Sequence, residues 1–290
     1  MLRRDVLSMV IAGAVSCAGR RTARGATAMI HEAEDFPSPI DGTSHRLLHA
    51  AVGPRPAGGY PLLLLLDGDT TFEPAISHAE RLDQPIVVAG LGYGEVERDA
   101  IVARRYYDLT SKSPDDAIPR AAGSPVPRTG GREAYAALLK KTVAPRLSRQ
   151  YPIDPTRMTL FGHSLGGAFC LHQLYDGEGP FTGFAAADPS IWWNGGELWQ
   201  RTLAWTGPLR QGPTTVSITT SGRRGQRPGQ SAVDARRTAE LRAGPGGRAV
   251  AERLSKLPHL AVSYADFPEE THGSLKPVAA RGAVESTLIR

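Results

Sequence analysis

Apolar and polar positions along this chain follow two rhythms. Short, wholly apolar runs that stop at a turn occur in "YPLLLLLDGD" (60–69) and "QPIVVAGLGY" (84–93), the pattern of strands buried on both faces. "SHRLLHAAVG" (44–53) reads as an earlier strand, preceded by a polar, proline-containing lead-in. "RMTLFGHS" (157–164), "FTGFAAADPS" (181–190), "TTVSITTSG" (214–222) and "HLAVSYADF" (259–267) predict further strands. Elsewhere the period lengthens. Residues 132–150 are amphipathic and predict a helix, and residues 165–176 predict one that starts directly at a strand end. A helical region over 231–257 is broken by "GPGG", and a last helix runs from about Leu275 to Leu288. Residues 94–130 are rich in Pro, Gly, Ser and charge without a period, which predicts a long surface excursion. Strands alternating with helices predict an α/β fold with a mostly parallel central sheet flanked by helices. With no repeat, low-complexity tract or linker in view, residues 29–290 read as one domain.

Charge changes the picture once the first residues are considered. The formal net charge is +5, which on its own invites a nucleic-acid partner. Yet residues 1–28 have a basic start, a short apolar stretch and a small-residue end at Ala26-Thr27-Ala28, the layout of an export signal. Arg3-Arg4 followed by "DVL" fits the twin-arginine pattern. Val6 to Gly19 is too short to span a bilayer. Those 28 residues hold five Arg and one Asp, so their removal leaves a mature chain at +1. That balance argues against nucleic acid as a partner and against a membrane after the signal is removed. The expected location is periplasmic or secreted, and the expected state a monomer. Cys17 leaves with the signal, so Cys170 has no cysteine to pair with.

The chemistry centres on "GHSLGG" (162–167), which places Ser164 between a strand and a helix as Gly-x-Ser-x-Gly. Such a nucleophile sits on a sharp, strained turn, and side chains at the glycine positions would collide with the adjacent strand and helix. The Leu165 N–H, at the start of that helix, is placed to donate to a developing oxyanion. A serine hydroxyl needs a base to take its proton. "FPEETHGSL" supplies His272 after the last strand, where hydrolases with this elbow carry their base. His163 lies inside the elbow and is expected to point away from Ser164, and His172 to be a packed or surface residue of the following helix. The second oxyanion donor is expected after the third strand, in "LLLLLDGDTTF", with Gly68 allowing close approach and the Asp69 N–H donating; a plain turn would also favour Asp-Gly-Asp. The acids are dispersed and no cysteine pair exists, so no metal or cofactor is indicated.

The runs "LLLLLDG", "VVAGLGY", "RRYYDLT", "RMTLFGHSLGGAF", "DPSIWWN" and "FPEETHGSL", in that order over roughly residues 40–290, resemble the esterase family of α/β hydrolases. Within it they are most similar to the ferric-siderophore (enterobactin and salmochelin) trilactone esterases. The resemblance implies an α/β-hydrolase fold and serine esterase chemistry, with Ser164 as nucleophile and His272 as base. Family members often read Gly-Glu-x-Glu after the "TTVSI" strand, where this chain has Gly222-Arg223-Arg224-Gly225. The acid is thus missing from its usual place, in keeping with the Ser-His dyad of periplasmic siderophore esterases. Asp234 comes too late, whereas Asp188, in "ADPS" where the family has Ser-Pro-Ser, is the alternative acid. Arg105 fits the family's Arg-x-x-Asp-x-Thr stretch, either to clamp an anionic substrate group or to pair with Asp108. Trp192 and Trp193 either line a flat aromatic cleft or divide between core and surface. Arg223 and Arg224 are candidates to attract an anionic ligand, or form a solvated basic turn. The expected partner is a small-molecule ester, with a catecholate-siderophore lactone favoured. The rivals are a feruloyl or acetyl ester of a polysaccharide, and a non-catalytic ligand-binding protein on the same scaffold.

Overall fold

Seven successive buried residues, Tyr60 to Leu66, send their side chains alternately to two different cores. Leu62, Leu64 and Leu66 join one cluster, Leu63 and Leu65 the other. Full burial of each leucine contributes about 1.5–3 kcal/mol, so this strand alone explains why the sheet is covered on both faces. The computed structural model describes residues 31–289 apart from 40, 95–96, 119–124, 209–211, 224–230 and 242. The expected export signal, with Arg3-Arg4 and Cys17, lies outside the described residues, as does Arg224.

The sheet contains β1 (Glu32–Pro37), β2 (Ser44–Val52), β3 (Tyr60–Leu66), β4 (Ile86–Tyr93), β5 (Ile153–His163), β6 (Gly183–Ala187), β7 (Thr214–Arg223) and β8 (Leu260–Thr271). Their spatial order is β1-β2-β4-β3-β5-β6-β7-β8. β1, β2 and β4 pair antiparallel, and every pairing from β4 across to β8 is parallel. The sequence-based expectation of a mostly parallel, helix-flanked α/β sheet therefore holds.

One face is covered by α1 (Gly68–Leu82) and α9 (Leu275–Leu288), through Phe72, Ala75, Ile76 and Ala79 of the first and Leu275, Ala280 and Val284 of the second. The other face carries α3 (Arg132–Leu138), α4 (Ala144–Gln150), α5 (Leu165–Asp176), α6 (Trp193–Ala204) and α8 (Gly247–Leu254). A π-helical stretch, Leu139–Val143, joins α3 to α4, so the predicted 132–150 helix is continuous. α2 (Arg98–Asp108) and α7 (Ala232–Leu241) complete the set among the described residues.

Four elements escape the hydrophobic pattern. The polar lead-in forms the edge strand β1, of which only Phe36 is buried. The region read as a structureless excursion contains α2, whose one buried residue is Asp108, so it shows no apolar stripe. Pro74 sits inside α1 and punctuates a sequence that is helical around it. α6 begins with Asn194, Gly195 and Gly196 at positive φ, which breaks its period. Among the described residues no helix is long and apolar enough to cross a membrane.

Candidate active site

At the carboxyl end of β5 the chain turns into α5 through Ser164, whose φ of 62° and ψ of −117° lie outside the regions a serine ordinarily adopts. Close packing forces the turn to be glycine-rich. A Cβ on Gly162 would stand 2.2 Å from the Gly166 carbonyl oxygen, and one on Gly167 would stand 2.9 Å from that of Ala187. Gly166 itself would meet nothing closer than 3.7 Å. The second obligatory glycine is therefore Gly167, one position beyond the one the Gly-x-Ser-x-Gly spacing suggests.

Ser164 Oγ lies 3.0 Å from His272 Nε2, and His272 Nδ1 lies 2.7 Å from Asp188 Oδ2. His272 follows the end of β8, and Asp188 follows the end of β6 at a positive φ of 44°. An ionised carboxylate only accepts, so the hydrogen sits on Nδ1 and leaves Nε2 free to accept from the serine hydroxyl. The His272 side chain is 37% exposed, so this face is open to a ligand, while that of Asp188 is only 10% exposed.

Burial pushes the Asp188 carboxyl up, but hydrogen bonds from His272 and Ser221, with the charge of His272, outweigh it and hold it at about 2. Ser221 Oγ donates to Oδ2 at 2.5 Å and Ser221 N–H to Oδ1 at 3.3 Å. The end of β7, where the family resemblance leads one to expect a carboxylate, thus presents a hydroxyl that grips a carboxylate reaching across from the end of β6. Arg223 is exposed and pairs in register with Thr271, the residue before His272. Its neighbour Arg224 is beyond the described residues.

Ser190 was not singled out in the sequence, although it stands two positions after Asp188. Its N–H donates to the Ser164 carbonyl at 3.0 Å, and its Oγ lies 3.3 Å from Ser164 Oγ. His163 reaches His272, with Nε2 2.7 Å from the His272 carbonyl oxygen. His163, Asp188 and His272 each bring a potential metal-ligand atom within 4.8 Å of one another. Hydrogen bonds already use those atoms, since His163 Nε2 faces a carbonyl and Asp188 Oδ2 accepts from His272.

Leu165 and Asp69 are the first residue of α5 and the second of α1, so both N–H groups belong to first turns, where no intrahelical acceptor exists. The Asp69 carboxylate accepts from the Tyr93 N–H at 2.9 Å, which ties the start of α1 to the end of β4.

Two expectations need correction. Arg105 pairs with Asp67, at 2.5 and 2.9 Å, and not with Asp108, because residue 105 on α2 faces the β3–α1 turn. Arg104 is the residue beside Asp108, at 3.7 Å. Trp193 does not line a cleft: it is 5% exposed and packs its ring 5.6 Å from that of Tyr106 in the core. Trp192 is partly buried against the same core.

A family model described as "Putative esterase" matches residues 48–254. Ferri-bacillibactin esterase BesA of Bacillus subtilis is 27% identical over 258 residues, covering 85% of both chains. Apo-salmochelin esterase of Escherichia coli O6:H1 is 29% identical over 158 residues, 52% of this chain and 49% of that one. Among solved structures, siderophore hydrolase EstA from Aspergillus nidulans superposes with a TM-score of 0.74 at 24% identity, covering 88% of this chain and 93% of that one.

Proposed function

This chain belongs to the family described as "Putative esterase" and is a carboxylic ester hydrolase; on that premise we propose that it cleaves siderophore lactones through an acyl-enzyme on Ser164. The observation that carries the reading is the continuous chain of contacts from Ser164 through His272 to Asp188. Ser164 Oγ attacks the ester carbonyl carbon as His272 Nε2 takes its proton, and Asp188 stabilises the imidazolium that results. The N–H groups of Leu165 and Asp69 receive the negative charge on the carbonyl oxygen. Collapse of the adduct expels the alcohol, which collects the proton from His272. Water then enters by the same route in reverse and frees the acid and Ser164.

The third member replaces the dyad that the arginine-bearing loop suggested. It also weighs against a binding protein without activity, which has no use for an aligned serine, imidazole and carboxylate. The siderophores after which the bacillibactin and salmochelin esterases are named support a siderophore as substrate. Arg223, exposed beside the residue that precedes His272, adds positive charge where an anionic catecholate would approach. We further propose that residues 1–28 direct export, so that the enzyme acts in the periplasm or outside the cell.

A fluorophosphonate probe tests the mechanism. It should label the protein lacking residues 1–28, and Ser164→Ala should abolish both labelling and hydrolysis of p-nitrophenyl acetate and enterobactin. Labelling that survives in the alanine variant would remove Ser164 from the reading. Hydrolysis of p-nitrophenyl acetate without any of enterobactin, ferric or iron-free, would remove the siderophore.

A further inference from the structure

We propose that His163 is a positioning residue, one that anchors the main chain of His272 to strand β5 and so sets the distance between base and nucleophile. The proposal rests on the serine-esterase reading above. Its Nε2 lies 2.7 Å from the His272 carbonyl oxygen. That oxygen can only accept, so Nε2 carries the hydrogen and the bond has a defined direction. The two imidazole rings also face each other, with centroids 4.5 Å apart and planes inclined by 42°.

The need for such an anchor follows from the turn that holds His272. Thr271 and Ser274 bond to one another, from Thr271 N–H to Ser274 Oγ at 2.9 Å and from Ser274 N–H to Thr271 Oγ1 at 3.2 Å. These bonds shape the turn, which the pairing of Thr271 with Arg223 ties to the sheet only at its first residue, and Thr271, Gly273 and Ser274 are all exposed. Asp188 holds the ring of His272, through Nδ1. His163 holds its backbone. Because His163 immediately precedes Ser164, a single hydrogen bond links the main chain of the base to the residue beside the nucleophile.

The anchor must stay neutral, since an imidazolium beside His272 would oppose the proton that His272 accepts in turnover. His163 is only 4% exposed. Burial, reinforced by the neighbouring His272 and Lys276 charges, lowers it to about 3.

Two substitutions separate the donor from the ring. His163→Gln places an amide N–H where Nε2 was, and His163→Phe keeps the ring but removes the donor. Activity on p-nitrophenyl acetate, the rate of fluorophosphonate labelling at Ser164 and the thermal midpoint are measured for each. The expected result is a kcat and labelling rate lower by roughly tenfold to a hundredfold in the Phe variant. KM should stay within about twofold, and the Gln variant should recover most of the loss. If the Phe variant does not fold, His163→Asn, whose amide is too short to reach the carbonyl, must show the loss that Gln does not. Equal rates for the donor-less variant and the wild type overturn the proposal, as do equal losses for the Gln variant and the donor-less one. Failure of the wild-type protein to label at Ser164 would overturn the esterase reading and the proposal with it. A labelled wild type beside an equally fast Phe variant overturns the proposal alone.

Discussion

Asp188 receives three hydrogen bonds, from His272 Nδ1, Ser221 Oγ and Ser221 N–H. That arrangement defines what a single-atom change should do. In Asp188→Asn the shape survives, but the amide NH2 can face Nδ1 and favour the tautomer whose Nε2 carries a hydrogen and cannot accept from Ser164. We expect kcat to fall roughly 10³- to 10⁴-fold, with the Ser164→Ala variant as the floor. A loss under tenfold in steady-state kinetics would return the enzyme to a dyad. Asp188 was legible in the sequence only as an alternative, because the eye goes to the end of β7, where Arg223 and Arg224 stand. Its partner Ser221 was not legible at all. A serine at a strand end is common, and nothing in "TTSGRR" shows that its hydroxyl crosses to the neighbouring strand. His163 was expected only to turn from Ser164, and its landing place on His272 depends on the β8–α9 turn more than a hundred residues later.

At the level of elements, the site depends on how closely α1 approaches the sheet. A Cβ on Gly90 of β4 would stand 2.9 Å from Phe72 Cβ and 3.0 Å from Gly68 Cα, both at the start of α1. Gly90→Ala should therefore push the first turn of α1 outward and carry the Asp69 N–H with it. The expected cost is about 1–3 kcal/mol in urea unfolding, from overpacking. A kcat lowered more than KM is raised should accompany it, since the proposed oxyanion contact of Asp69 would be made chiefly in the transition state. An unchanged unfolding midpoint would mean that the helix moves freely. The elements that could be read in advance bury a continuous face, as β3, β4 and α5 do. Some that could not be read are held by polar contacts. α2, for example, docks through the Arg105–Asp67 pair, a connection between residues far apart in sequence that no local period encodes.

Among the described residues, burial lowers three histidines, His49, His163 and His172, and the last two are lowered far enough to dominate the molecule's response to acid. His163 is held at about 3 and His172 at about 2, each chiefly by burial; for His172 the positive charges of Arg132 and Arg201, which lie against its Nδ1, add to it. In the unfolded chain both return to the ordinary value of about 6.5. The folded-state values are depressed, so as pH falls below about 6.5 the unfolded chain gains protons that the folded one refuses. Stability is then full above that pH and lost toward 3, at about 1.4 kcal/mol per pH unit for each histidine. Asp188, held at about 2, weakens the fold only below its ordinary 3.8 and so lies outside the upper part of this window. Urea unfolding should show a decrease of about 3 kcal/mol between pH 7.5 and 5.5. His172→Gln should remove about half of that slope, and a flat profile would contradict neutral burial. The carboxylate on β6 has a last consequence, for ancestry rather than chemistry. With Asp188 bonded to His272, the stretch after Arg223 need not supply the acid, so descendants of this gene could rewrite it for new ligands without replacing that carboxylate.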